Sequence, residues 1–251
     1  MTTALLIEAH LKRLKLPTMR RQYATLARDA TEHNRTYEEY LQALLEHEIQ
    51  QRDSNMVRER IRRAGFPEVK TLDGFDFAAI ASLNKAKVLA LGQGEFIRRK
   101  GNVLLVGNPG TGKTHIASAL GAMACRAGHR FRFWRTLTLV NELIAAQQEH
   151  RLGKLEKAFQ RLDLVILDEL GFIPLQRQAA ELLFQFLSSR HEVGSVVITT
   201  NLDFKDWTRV FGDETLTAAL LDRLTHNAEI LAFAGESYRF RQSLRRKESE
   251  G

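Results

Sequence analysis

Apolar residues follow two different rhythms along this chain. Through about residue 64 they recur at helical spacing, as in Tyr37, Tyr40, Leu41, Leu44, Leu45 and Ile49, which is the one-sided pattern of amphipathic helices. The stretch holds one proline, Pro17, and no glycine, and it reads as a small bundle of about three helices. Thr36 followed by Glu38 and Glu39 marks a helix start, with acidic groups in the first turn where the helix dipole favours them. The helix that closes the region carries Arg58, Arg60, Arg62 and Arg63 and stops at Gly65, Phe66, Pro67. Such a charge run is either a solvated face or a contact for DNA or a partner. Residues 65–100 read as a connector running into a further helix, with 71–77 (T-L-D-G-F-D-F) extended and aromatic. After Gly101 short apolar runs alternate with helical patterns, predicting strands at 102–106, 130–134, 163–168, 195–200 and 229–233. The intervening helices are long enough for right-handed crossovers, so the fold class is α/β with a parallel sheet.

The chemistry enters at the end of the first strand. Gly107, Asn108, Pro109, Gly110, Thr111, Gly112, Lys113 and Thr114 match G-x-x-x-x-G-K-[ST] at every fixed position. Glycines let the backbone curl so that successive N–H groups point inward at a helix N-terminus, a nest for phosphate. A glycine-rich turn is the plain alternative, but an apolar strand before and a helical pattern from His115 after supply the required context. The expected ligands are ATP and Mg²⁺, with Lys113 on the β and γ phosphates, Thr114 on the metal and His115 flanking.

The run Leu164 to Leu167 ends in Asp168 and Glu169, as in a Walker B element on a strand buried on both faces. Alone it could be an acidic cap. Beside a phosphate loop, Asp168 becomes the carboxylate facing the metal and Glu169 the group that orients or deprotonates water. The next strand ends in Thr199, Thr200 and Asn201, which alone is ordinary turn chemistry. Its position leaves room for a topology in which this strand lies between the other two. Arg223, on an amphipathic stretch from Leu220 to Leu224, reads by itself as a salt-bridged surface residue.

Composition narrows the setting. The 251 residues are 44% hydrophobic and 27% charged, the balance of a globular protein with a sizeable core. A net charge of +7 favours polyanionic partners without dictating a fold. The single cysteine, Cys125, permits no intrachain disulfide and no usual zinc thiolate set, so a cytoplasmic home is expected. Glu8 and His10 interrupt the first apolar run, so neither a signal peptide nor a membrane span fits there.

G-N-P-G-T-G-K-T-H, L-V-I-L-D-E-L-G, V-I-T-T-N-L, A-A-L-L-D-R-L-T-H and G-E-S-Y-R-F-R stand in this order, with L-K-L-P-T-M-R and Y-E-E-Y-L-Q-A-L-L-E-H-E before them. In these the chain resembles the IstB family, helper ATPases of insertion-sequence transposition, over nearly its whole length. It is similar, less closely, to the DnaC and DnaI helicase loaders, all in the DnaA-related branch of AAA+ ATPases. The resemblance implies a P-loop AAA+ core at 101–241 behind a helical assembly or partner domain at 1–64 and the connector at 65–100. It implies an ATP-hydrolysing homo-oligomer, stimulated by DNA, that holds double-stranded DNA and presents it to a cognate transposase. It assigns Thr200 or Asn201 as sensor 1 and Arg223 as a finger reaching a neighbouring subunit's nucleotide. It also places a DNA-lining helical insertion between the second and third strands, where Arg151, Lys154, Lys157 and Arg161 are the candidate phosphate contacts. The residues after Arg223 are too few for the usual multi-helix lid, leaving Arg239 or Arg241 to stand in for sensor 2 and a basic mobile tail at 242–251. A helicase loader shares every ATPase residue and differs in what the N-terminal region binds. A small-molecule P-loop kinase would need an acceptor pocket and has no use for Arg223 in trans.

Overall fold

The computed structural model describes residues 2–238 and residue 240. Arg239, Arg241 and the 242–251 tail, including the candidate sensor 2 replacements, lie outside the described residues. The chain divides into two compact units, the first ending at Glu59 and the second starting at Arg60.

The first unit holds α1 (Thr3–Arg13), α2 (Pro17–Glu32) and most of α3 (Tyr37–Ala64). Pro17 opens α2, where its fixed φ suits the first turn and no N–H is missed. Thr36 caps α3 reciprocally: Glu39 N–H donates to the Thr36 hydroxyl at 3.2 Å and Thr36 N–H to Glu39 Oε2 at 2.7 Å. The core here is thin. Met19, Ala30 and Leu44 are its buried apolar residues and α1 buries none. Glu48 is buried as well, because its Oε2 accepts the N–H groups of Thr18 at 2.8 Å and Met19 at 3.1 Å. A carboxylate on α3 therefore caps N-terminal backbone donors of α2 that have no partner within their own helix.

The second unit continues through α4 (Lys85–Gly92), α5 (Glu95–Arg98), β1 (Asn102–Gly107), α6 (Lys113–Arg126), β2 (Phe131–Arg135), α7 (Thr136–Gln148) and α8 (Leu152–Gln160). It closes with β3 (Leu164–Leu170), α9 (Arg177–Arg190), β4 (Ser195–Thr200), α10 (Thr208–Phe211), α11 (Glu214–Thr225) and β5 (Ala228–Phe233). All five strands are parallel, in the order β2-β3-β4-β1-β5. Thus β4 does lie between β1 and β3, and the predicted strands fall within two residues of the observed ones.

Strand alternation divides the core in two. Leu164 and Ile166 of β3 and Val103 and Leu105 of β1 pack with α4 to α6, whereas Val165, Leu167 and Leu104 face α7, α9 and α11. At Gly121 on α6 a Cβ would sit 2.6 Å from the Phe131 ring, so glycine lets this helix settle closely on the sheet.

The reading of 65–100 as a connector is corrected. Ile80, Leu83, Val88, Leu91, Phe96 and Ile97 are buried in the same core as β1 and α6, and two helices form there. Their apolar faces gain a partner only once the sheet exists, which a local pattern does not reveal. The 71–77 segment is likewise not extended. Phe75 N–H donates to Leu72 O at 3.1 Å in a turn, and Asp76 caps the short helical turn Phe77–Ala79.

Candidate nucleotide site

The phosphate loop leaves the C-terminal end of β1 through three left-handed glycines, Gly107, Gly110 and Gly112 (φ 148°, 76° and 93°). A Cβ at Gly107 would stand 2.2 Å from Phe233 O, and one at Gly112 would stand 2.6 Å from the Phe75 ring. No other residue fits either place without displacing backbone or an aromatic wall. Thr111 closes the curl by donating to Asn108 O at 2.7 Å, and Asn108 Nδ2 ties the loop to Gly235 O at 3.2 Å. Lys113 Nζ lies folded into the loop, donating to Gly107 O at 2.6 Å and Asn108 O at 2.7 Å. The ammonium is thus held on the nest axis by carbonyls that a phosphate can replace as its partner.

Beside the loop, β3 delivers its carboxylates. Asp168 is 2% exposed, and Oδ1 accepts the Thr114 hydroxyl at 2.8 Å and the Thr199 hydroxyl at 2.6 Å. Its backbone oxygen accepts the Thr136 hydroxyl at 2.9 Å. A buried carboxylate held by hydroxyls is poised to exchange one of them for a cation. Thr114 and Asp168 together offer the hard oxygen donors that Mg²⁺ takes along with water and phosphate oxygens, so these residues fit that ion. Next in sequence, Glu169 turns outward: it is exposed and left-handed at φ 61°. The β3–β4 register shifts between Leu167 and Leu170 at this point, and Glu169 N–H donates to the Thr199 hydroxyl at 2.9 Å. A bulge re-aims one side chain at a site, here sending Glu169 into the cleft while Asp168 stays buried.

The cleft has a volume of about 630 Å³, and its walls include the loop, Glu169, Thr199, Thr200, Asn201, Arg135, Tyr238 and the 67–80 segment. Thr200 is buried, its hydroxyl accepting Leu202 N–H at 3.1 Å, while Asn201 is exposed. Both sensor 1 candidates therefore line the cleft. His115 does too, its Nε2 2.8 Å from Thr71 O and its ring edge-on to Phe75 with centroids 5.2 Å apart. Phe75 thus covers Gly112 and forms, with Ile80, an apolar wall suited to a flat base. Sequence reasoning placed Thr199 only at the strand end with Thr200 and Asn201 and missed its bonds to Asp168 and Glu169, and it missed Thr136 and Phe75 as parts of the site. The aromatic run at 71–77 was a visible signal for Phe75, whereas nothing local pointed to the threonine bonds.

Arg223 lies elsewhere. Its Nη1 donates to Ala219 O at 3.0 Å and its guanidinium rests 5.4 Å from the Phe184 ring centroid. The next residue, Leu224, accepts Asn102 Nδ2 at 3.0 Å, placing Arg223 at the start of β1. The phosphate loop is at the other end of that six-residue strand, about 20 Å away at the usual strand rise.

The candidate DNA residues share one exposed stripe on and beside α8. Arg151, Lys154, Lys157 and Arg161 are exposed, while Leu152, Leu155 and Phe159 face the core. Arg151 is paired with Glu149 at 2.5 Å, leaving the two lysines and Arg161 as the stripe's cations without an acidic partner among the described residues. Cys125 is buried, and burial pushes its thiol up to about 11, which makes it unreactive. No helix among the described residues is long and apolar enough to cross a membrane.

Comparison with known proteins agrees with this geometry. The chain is 36% identical over 97% of both chains to "Insertion sequence IS5376 putative ATP-binding protein" of Geobacillus stearothermophilus. It is 38% identical to "Insertion sequence IS21 putative ATP-binding protein" of Pseudomonas aeruginosa, over 94% of this chain and 89% of that one. Among solved structures, the DnaC helicase loader matches with TM-score 0.52 and 24% identity over 59% of this chain and 87% of that one. AMPPCP-bound DnaA from Aquifex aeolicus matches with TM-score 0.57 and 16% identity over 74% of this chain and 56% of that one. These two likenesses show the P-loop AAA+ fold. A family model described as IstB-like ATP binding protein matches residues 9–246, and the chain belongs to that family of insertion-sequence ATP-binding proteins.

Proposed function

We propose that this protein is an ATP-hydrolysing regulator of DNA transposition that assembles on double-stranded DNA and delivers it to a transposase. The observation that carries the reading is a separation: Lys113, Thr114 and Asp168 converge at one end of the sheet, while Arg223 stands at the other. Charge developing on the γ phosphate during hydrolysis needs cationic stabilisation. A second copy can bring its Arg223 to the cleft that its own chain keeps distant, so hydrolysis and assembly are coupled.

Within the cleft, the loop N–H groups and Lys113 hold the β and γ phosphates, and Phe75 and Ile80 flank the base. Bound Mg²⁺ would neutralise charge shared by the β and γ phosphates. Thr114 and Asp168 would hold that ion. Glu169 accepts the proton of the attacking water, and Thr200 or Asn201 orients it. The α8 stripe meets DNA phosphates, which gives affinity with little sequence preference. The first unit, with its thin core and exposed Leu41, Leu45 and Ile49, organises subunits or docks the transposase. The test is ATP turnover with and without duplex DNA, alongside sizing of the complex. DNA should raise turnover and the nucleotide-bound protein should be larger than one chain. A monomer hydrolysing ATP at full rate regardless of DNA would overturn the reading, and capture of a replicative helicase by the first unit would replace transposition with loading.

A further inference from the structure

A second cavity, of about 410 Å³, opens at the N-terminal end of the sheet, on the side away from the phosphate loop. The turn before β1 contributes Arg99 and Lys100, the end of α9 contributes Arg190, His191 and Glu192, and the end of α11 contributes Arg223 and His226. Its charge is lopsided. Glu192 is the one acidic residue in the lining, and it leans on His191 at 4.0 Å rather than on a permanent cation. Arg99, Lys100 and Arg223 make no ion pair among the described residues.

Arg190 sharpens the imbalance. It is 1% exposed, yet its guanidinium meets two carbonyls and no carboxylate: Nη1 donates to Phe159 O at 2.7 Å and Nη2 to Leu162 O at 2.8 Å. Its Nε is buried with no hydrogen-bond partner. Asp163, whose charge acts on Arg190, is engaged by Arg130 at 2.9 Å. Burial lowers Arg190 to about 10, so it remains charged at neutral pH. A buried cation without a counter-ion is destabilising, and the three further cations that line the same cavity repel one another. An anion entering there relieves both costs. A carboxylate would satisfy one or two donors, whereas a phosphoryl group, with up to three terminal oxygens, can take donors from the several cationic side chains that separate elements bring to this lining.

We infer that this cavity is an anion site that takes a phosphoryl group, held by Arg99, Lys100 and Arg223 over the buried charge of Arg190. The group comes either from a free phosphate compound or from the triphosphate end of a nucleotide seated on a second copy's loop. The latter source rests on the proposed two-copy hydrolysis, but the site itself does not.

The experiment is calorimetric titration of pyrophosphate into Lys113→Ala protein at low salt, so that the phosphate loop is disabled. One saturable site is expected, weakened at least tenfold by adding Arg99→Ser and Lys100→Ser. Both side chains are exposed, so an unchanged thermal melt verifies folding. Absence of binding in Lys113→Ala, or equal binding after the double substitution, overturns the site. Should the loop still bind despite Lys113→Ala, a second site appears in the titration and survives the double substitution, so failure of the loop assignment is told apart from failure of this one. Sedimentation of the Arg99→Ser, Lys100→Ser protein with a non-hydrolysable ATP analogue then separates the sources. Weakened self-association names the second copy's nucleotide, and unchanged self-association names the free anion.

Discussion

Thr199 donates its hydroxyl proton to Asp168 Oδ1 across 2.6 Å, and the Thr199 hydroxyl oxygen in turn accepts the Glu169 N–H at 2.9 Å. One side chain of β4 therefore fixes both acidic residues at the end of β3. It satisfies a buried carboxylate and anchors a left-handed glutamate whose backbone costs about 1–2 kcal/mol unless restrained. Thr199→Val keeps the shape and removes both bonds, leaving the Glu169 N–H unmatched at a cost of about 1–3 kcal/mol. Turnover should fall well over tenfold while ATP affinity, set by the loop, changes little. Thr199→Ser should restore turnover, which a purely packing role would not require. Steady-state kinetics beside an equilibrium ATP titration check both.

Glu169→Gln should bind ATP as the parent does and stall hydrolysis by about 10²–10⁴-fold, since an amide keeps the side chain's shape but accepts no proton. Single-turnover measurement with pre-bound ATP isolates the chemical step. Parent-like turnover would remove Glu169 from the chemistry.

The sheet and the loop were legible in the sequence because their signals are local. Val103 to Val106 and Leu164 to Leu167 are continuous apolar runs, and Gly107 to Thr114 is a fixed-spacing motif. Legibility failed where a residue's role depends on a distant partner. Nothing adjacent to Thr199 in sequence announces a bond to Asp168, 31 positions away. Glu48 gives no hint that it caps α2. Phe75 was visible as an aromatic but not as a wall of the cleft, and the 65–100 segment looked like a connector because its core partner is the sheet that follows it.

Replacing Lys154 and Lys157 together should lower the salt dependence of duplex DNA binding without harming ATP affinity. Each phosphate contact contributes about 0.9 to the slope of log K against log salt, so a reduction of about 1.8 is expected. Binding measured by anisotropy between low and moderate salt gives the slope. An unchanged slope would move the DNA surface away from α8.

Glu48 links pH to the first unit. Burial pushes its carboxyl up, but the N–H groups of Met19 and Thr18 and the Arg52 guanidinium outweigh this and leave it below its ordinary value of 4.5. Because the folded value is the lower one, the stabilisation is present above the ordinary value and is lost as pH falls through the folded one. Glu48→Gln should loosen the start of α2 at neutral pH by about 1–3 kcal/mol. Hydrogen exchange at the Thr18 and Met19 amides reports it, and equal protection in the variant would show that the cap carries no stability.

Hydrolysis shared between two copies is tested most directly by mixing two inactive proteins. Arg223→Ala should bind ATP and fail to turn it over, whereas Lys113→Ala should fail to bind, because the phosphates lose the charge held in the nest. Mixed interfaces can pair an intact loop with an intact Arg223, so ATP turnover measured across mixing ratios should rise above either protein alone and peak at intermediate ratios. A flat, inactive profile, with subunit exchange verified by labelled chains, would contradict hydrolysis in trans.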